Sequence, residues 1–301
     1  MVGTGGSALV SMTLGQGDGE RANRIFSLLI TLLVIVGAVF TVLGFVFVRP
    51  VALLLGATPE MLPHCVVYGR IIMLALVPFM LQNVFQSFLI TAERPHFGLV
   101  ITVAAGVTNM ALDALFLGLF RWGVTGAAAA TGLSQCVGGL IPLFYFLSPK
   151  NRSLLRLVRP VRDGKAVLKT CTNGASEFMT NISFSLVNML YNFQLMRLVG
   201  EAGVAAFGVV MYVSFIFVAV FLGYSFGSAP IVGYHYGARN TQELRNLLHR
   251  SLILIGIAAA VLTAAAEALA RPLALVFVGY DEALLTLTQR SFMLYSIWFR
   301  V

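Results

Sequence analysis

Residues 3–18 read GTGGSALVSMTLGQGD, and residues 223–240 read GYSFGSAPIVGYHYGARN. Laid over each other at a shift of 222, the stretches match Gly5 to Gly227, Val10 to Val232 and Gly15 to Gly237. The same gapless shift continues through Thr41 and Thr263, Arg49-Pro50 and Arg271-Pro272, and Glu60 and Glu282. After a loop two residues shorter, Arg70 pairs with Arg290. Apolar bias produces apolar coincidences, not matched prolines and charges. The chain therefore contains an internal repeat longer than sixty residues.

The solvent in which this repeat folds follows from composition. Hydrophobic residues make up 58% of the chain and charged residues 11%, against roughly 25% charged in an ordinary soluble domain. Mean hydropathy is +0.89. Charge-free runs mark membrane spans, because a hydrocarbon core about 30 Å thick needs about 20 apolar residues. No ionisable side chain lies between Arg24 and Arg49, and further spans are predicted at 71–92, 97–119, 123–147, 175–198, 203–234 and 250–270. Residues 3–14 read as the end of another span and 291–301 as the start of one, so the chain is expected to be a fragment.

The net charge of +8 reads as topology rather than nucleic-acid binding, since no basic patch is interleaved with aromatics. Alternate connections, at 15–24, 91–97, 148–173 and 235–250, hold thirteen Lys and Arg, while the others hold Arg49, Arg70, Arg121, Arg271 and Arg290. That asymmetry puts the first set in the cytoplasm. Seven of the thirteen lie in SPKNRSLLRLVRPVRDGKAVLKT, residues 148–170, which reads as a topology anchor in preference to an anionic-lipid site. By the span count six helices separate the two copies, so both cross in the same direction. A parallel repeat of this kind, about an axis along the membrane normal, is an architecture of secondary transporters.

Three phrases carry a family resemblance: GGSALVSMTLGQGD closing a helix, its echo APIVGYHYGARN, and VTNMALDALFLGLFRWGVTGAAAATGLSQ at 107–135. Together they resemble the multidrug and toxic compound extrusion (MATE) family over essentially the whole chain. Within it, GASEFMTNISFSLVNMLYNFQLM and GYHYGARN are most similar to the MepA-like group of bacterial exporters. The resemblance implies an all-α integral membrane fold of two six-helix bundles related by a pseudo-two-fold axis along the membrane normal. This chain would supply roughly eight to nine of those helices by span length. Residues 1–148 are expected to form the N-terminal lobe, from the end of helix 2 to helix 6. Residues 149–173 would be the basic cytoplasmic inter-lobe loop, and 174–301 the C-terminal lobe, from helix 7 to the start of helix 10. The implied activity is antiport by alternating access, expelling organic, often cationic compounds in exchange for protons or sodium.

The polar residues inside the spans point the same way on their own chemistry. Ionisable groups at membrane depth are costly and face a bundle interior or cavity; Asp113, Glu177 and Glu267 qualify. Thr102, Gly106, Asn109 and Asp113 fall within roughly 60° on one helix, and Glu177, Asn181, Ser185, Asn188 and Asn192 within roughly 80° on another. Each side-chain amide of that second stripe would lose about 2–7 kcal/mol if left unbonded in hydrocarbon, so the stripe is expected to face water, substrate or partner helices. Asp113 has two readings: a carboxyl that bonds Asn109 and locks packing, or a proton carrier, since desolvation favours the neutral acid. The resemblance favours the second. In proton-coupled MATE exporters an Asn and an Asp four residues apart on the fifth helix, a Thr on the sixth and an Asp on the first form a site. The first three match Asn109, Asp113 and Thr131; the first-helix Asp lies outside this chain.

The sodium site of the group resembling NorM, a Glu about ten residues after a glycine early in the seventh helix, is not reproduced: counting from Gly174 reaches Phe184. Glu177 reads equally as an interfacial carboxylate, and Glu267 as an interfacial one. Pro78 is expected to kink its helix, with Gln82 and Gln86 lining the cavity beyond it, and Gly126, Ala130 and Ser134 to let helices approach closely. Cys65, Cys136 and Cys171 have no metal or disulfide spacing, and His64, His96, His235 and His249 show no HExxH pattern. No catalytic residues, cofactor or metal are expected, and a proton is the expected coupling ion, with sodium the alternative. A monomer in the cell (inner or plasma) membrane is expected, its partners being small organic cations and the lipid bilayer, with no nucleic acid. A flippase of lipid-linked oligosaccharides in the same superfamily is the alternative, but it would need several Arg or Lys in its cavity. An intramembrane enzyme is a more distant one, with no converging nucleophile and base.

Overall fold

The computed structural model describes residues 1–54 and 59–278, which form helices and turns with no strand among them. In chain order the helices are α1 (Val2–Gly15), α2 (Gly19–Leu54), α3 (Leu62–Leu74), α4 (Leu76–Thr91), α5 (Pro95–Asp113), α6 (Gly123–Leu147), α7 (Gly164–Leu198), α8 (Glu201–Gly237) and α9 (Thr241–Val278). A π-helical stretch, Ala114–Leu119, extends α5. Among the described residues, α2, α5 with its extension, α6 and residues 241–265 of α9 are each long and apolar enough to cross a membrane, and α3 with α4 makes a bent fifth span. Glu282, Arg290 and the apolar run at 291–301 lie outside the described residues, as does the side chain of Glu267.

The bend between α3 and α4 is 49° and falls at Ala75, three residues before Pro78. Proline lacks the N–H that would bond the carbonyl four residues back, and its ring crowds that carbonyl, here Leu74. The helix therefore breaks one turn upstream of the proline that causes it. Ala75 closes the break by donating to Ile71 and Ile72 carbonyls at 3.3 and 3.1 Å.

The repeat is visible in the backbone. Helix α1 ends at Gly15 and α8 at Gly237; α2 begins at Gly19 and α9 at Thr241, each pair 222 apart. Between them, Gly17 (φ 84°) and Arg239 (φ 55°) take the same left-handed conformation. Asp18 then accepts a hydrogen bond from the Arg21 amide at 2.9 Å, and Asn240 accepts one from the Glu243 amide at 3.1 Å. Each side chain is an N-cap that satisfies an orphan donor of the helix it opens.

The chain divides into two compact units, Met1–Ala175 with Ala229–Arg239, and Ser176–Ser228 with Asn240 onward. In the first, an aromatic knot forms where α2, α4 and α6 meet. Phe26 packs edge-on against Phe88 (4.8 Å between centroids) and Phe146 (5.0 Å), while Phe85 stacks on Phe146 at 5.5 Å. Lipid tails are as apolar as these rings, so close packing rather than escape from water holds them. Helix α6 permits that closeness by burying Gly126, Ala128, Ala130, Gly132 and Ser134 along its length.

The first unit also contains the crossing of α1 with the end of α8. A Cβ on Gly15 would strike the Tyr234 carbonyl oxygen, and one on Gly237 would strike the Met12 carbonyl oxygen. Met12 and Tyr234 are themselves repeat equivalents, as are Ser11 and Gly233, which face each other with 3.1 Å between the Ser11 Cβ and a Cβ built on Gly233. These contacts are reciprocal, so a local pseudo-two-fold axis passes between Ser11 and Gly233. In the second unit, Tyr191 stacks on Phe207 at 5.5 Å, and the Tyr224 hydroxyl donates to Ser251 Oγ at 2.6 Å.

Helix α7 begins at Gly164, within the stretch read from sequence as loop, because Asp163 caps it by accepting from the Ala166 amide at 3.1 Å. The remainder of that stretch is not slack. Asn151, Ser153 and Leu155 are buried, and the Arg156 and Val158 amides donate to Asn23 Oδ1 (2.7 Å) and Ser27 Oγ (2.8 Å) on α2.

Candidate functional site

Asp113 is the last α-helical residue of α5, at the junction where the helix widens into its π turn. The turn is closed by the Phe120 amide donating to the Leu115 carbonyl, five residues back, at 2.9 Å. Single π turns inside helices recur at functional sites because they displace side chains from the ordinary helical register. Asn109 lies one turn before Asp113, and both are half-buried. Thr102 and Gly106, further along the same face, are exposed, and Thr102 Oγ1 donates back to the Gly98 carbonyl at 2.9 Å.

Helix α6 returns antiparallel to α5 and packs along it, with a Cβ on Gly126 lying 3.0 Å from Phe116 Cβ. Counting from that contact, Asp113 and Asn109 lie level with roughly positions 129 and 133 of α6 at 1.5 Å per residue. Thr131, half-buried, lies between them in depth. Among the described residues no hydrogen bond or ion pair is made by the Asn109, Asp113 or Thr131 side chains. The bond from Asp113 to Asn109 that a packing role would use is not formed.

Gln135, one turn beyond Thr131, goes unmarked in the sequence, where it is a lone amide in a run of small residues. Its Oε1 is buried with no partner. Such an acceptor costs about 1–3 kcal/mol unless something donates to it. On α4, the Gln82 side chain lies against α6 over Gly138, and Gln86 is exposed.

The stripe on α7 behaves differently. Asn181 Nδ2 donates to the Glu177 carbonyl at 2.8 Å, Ser185 Oγ to Asn181 at 3.0 Å, and Asn192 Nδ2 to Asn188 at 3.0 Å. The helix backbone thus satisfies one donor of each, which is how polar residues survive at membrane depth without a partner helix. The amide oxygen of Asn181 stays available as an acceptor, and Asn188 and Asn192 are half-buried. Glu177 is half-buried at the start of the stripe. Among the described residues no three His, Cys, Asp or Glu side chains gather as a metal site.

A family model described as MatE matches residues 1–115 and 178–301. The multidrug export protein MepA of Staphylococcus haemolyticus is 24% identical over 243 residues, covering 80% of this chain and 53% of its own length. That of Staphylococcus saprophyticus is 23% identical, covering 99% of this chain and 67% of its own. The chain thus spans between about half and two thirds of the length of these curated relatives. Among solved structures, the outward-facing conformation of a multidrug resistance MATE transporter superposes with TM-score 0.92 at 20% identity, over 99% of this chain and 67% of that one. A Pyrococcus furiosus transporter of the MOP superfamily, described as having a binding pocket of reversed polarity, superposes with TM-score 0.89 at 20% identity, over the same shares.

Proposed function

This chain belongs to the MatE family, and from that premise we propose that it exports organic, often cationic compounds in exchange for protons, with Asp113 as the proton carrier. The observation that carries the reading is the half-buried Asn109 and Asp113 pair at the α-to-π junction of α5, level with Thr131, its side chains unbonded to the protein. A charged carboxyl inside a membrane bundle is costly, so protonation removes a penalty and lets α5 repack against α6. Asn109 and Thr131 supply donors to the ionised form; Gln82 and Gln86 in the first unit, and separately the α7 stripe in the second, offer polar contacts to cargo. The MepA proteins it resembles are named for multidrug export, which supports varied organic substrates.

The test is transport of a fluorescent organic cation by the full-length protein in proteoliposomes, under an imposed pH gradient and then a sodium gradient. The expected result is transport driven by the pH gradient and lost in Asp113→Asn, with folding and drug binding retained. Normal transport by Asp113→Asn would make Asp113 structural, and transport driven by sodium alone would replace the proton.

A further inference from the structure

The segment after α6 is built as a fixed strap rather than a tether. Residues 151–156 alternate strictly in burial, with Asn151, Ser153 and Leu155 inward and Arg152, Leu154 and Arg156 outward. Leu155 is fully buried, and its carbonyl accepts from both Asn151 Nδ2 (2.8 Å) and Ser153 Oγ (2.9 Å). The two bonds to Asn23 and Ser27 then fasten the strap to α2.

Those anchors fix its depth. Asn23 and Ser27 bracket Arg24, the last charge before the uncharged run to Arg49. The strap therefore lies at the level where hydrocarbon gives way to headgroups. At that level it exposes Arg152, Arg156, Arg159 and Arg162, interleaved with Leu154, Val158 and Val161, which are 47%, 43% and 50% exposed. Residues 151–162 contain no acid, and the Asp163 carboxylate is engaged as the α7 cap.

We propose that this strap is a seat for anionic phospholipid headgroups of the leaflet on the basic side. Retention of positive charge on one side of a membrane requires only charge and is served by a slack loop. A strap whose inward residues are locked fixes the backbone positions from which Arg152 and Arg156 extend, which favours paired hydrogen bonds to phosphate oxygens. The interleaved Leu and Val side chains gain by lying among the glycerol and upper acyl carbons rather than in water.

The full-length protein in detergent is titrated with phosphatidylglycerol, phosphatidylcholine or inorganic phosphate while thermal unfolding is followed. Phosphatidylglycerol is expected to raise Tm and the other two to leave it unchanged. Substituting Arg152, Arg156, Arg159 and Arg162 by Gln should raise the lipid concentration needed at least tenfold, given about a fivefold effect per basic residue. An unchanged response in that variant, or an equal one to phosphatidylcholine or phosphate, overturns the proposal. Val158→Trp keeps every charge and the backbone amide bond to Ser27 and changes only an exposed side chain, so it tests the proposal independently of whether the four-arginine variant folds. In vesicles its added fluorescence, over that of the native tryptophans, should be quenched more by brominated phosphatidylglycerol than by brominated phosphatidylcholine; equal quenching, or none, overturns it.

Discussion

Arg239 holds a backbone conformation that its repeat equivalent Gly17 adopts without cost. A side chain in the left-handed region is strained by roughly 1–2 kcal/mol, and the identical turn in the first copy shows that the geometry comes from the turn, not from the arginine. Arg239→Gly is accordingly expected to stabilise the protein by about 1 kcal/mol, less the entropy that glycine adds to the unfolded chain. Gly17→Arg should cost a similar amount, and both are read as shifts of the unfolding midpoint in detergent. Asn109 and Asp113 were legible for a different reason: an amide and a carboxyl in a hydrocarbon span are conspicuous whatever surrounds them, whereas Thr131 was singled out only through the family resemblance. Gln135 was not, because only the packed structure reveals that its carbonyl oxygen is buried without a donor.

Among the elements, the spans in α2, in α3 with α4, in α5, in α6 and in α9 could be read because charge-free length decides them, and the Pro78 kink because proline removes a particular hydrogen bond. The π turn after Asp113 has no such signal, since five-residue bonds form only where neighbouring helices favour them. The strap is equally invisible in sequence, as its anchors Asn23 and Ser27 lie more than 130 residues from the amides they receive. Asn23→Ala with Ser27→Ala should release the Arg156 and Val158 amides at a cost of about 1 kcal/mol for each bond lost. Hydrogen exchange across 151–158 should accelerate while the aromatic knot around Phe26 stays protected. Unchanged exchange would mean that Leu155 alone holds the segment.

For the molecule as a whole, the repeat predicts orientation as well as fold. Thirteen Lys and Arg on one set of connections against five on the other place residues 159 and 239 on the same side and residue 121 opposite. Single cysteines at 159 and 239, in a background lacking all native cysteines, should be labelled by an impermeant maleimide only after the cells are opened. One at 121 should be labelled in intact cells; the reverse pattern would invert the topology. The repeat was legible because caps, glycines and prolines answer to local backbone geometry and so keep their spacing.

What the repeat does not announce is that its two copies touch at their own equivalent positions, Gly15 on the Tyr234 carbonyl and Gly237 on that of Met12. A methyl group gained by either glycine has nowhere to go but into the other copy's backbone. After such a duplication the two halves are free to diverge in what they carry, but at this crossing they inherit a shared constraint: neither can change its thickness unless the other gives way.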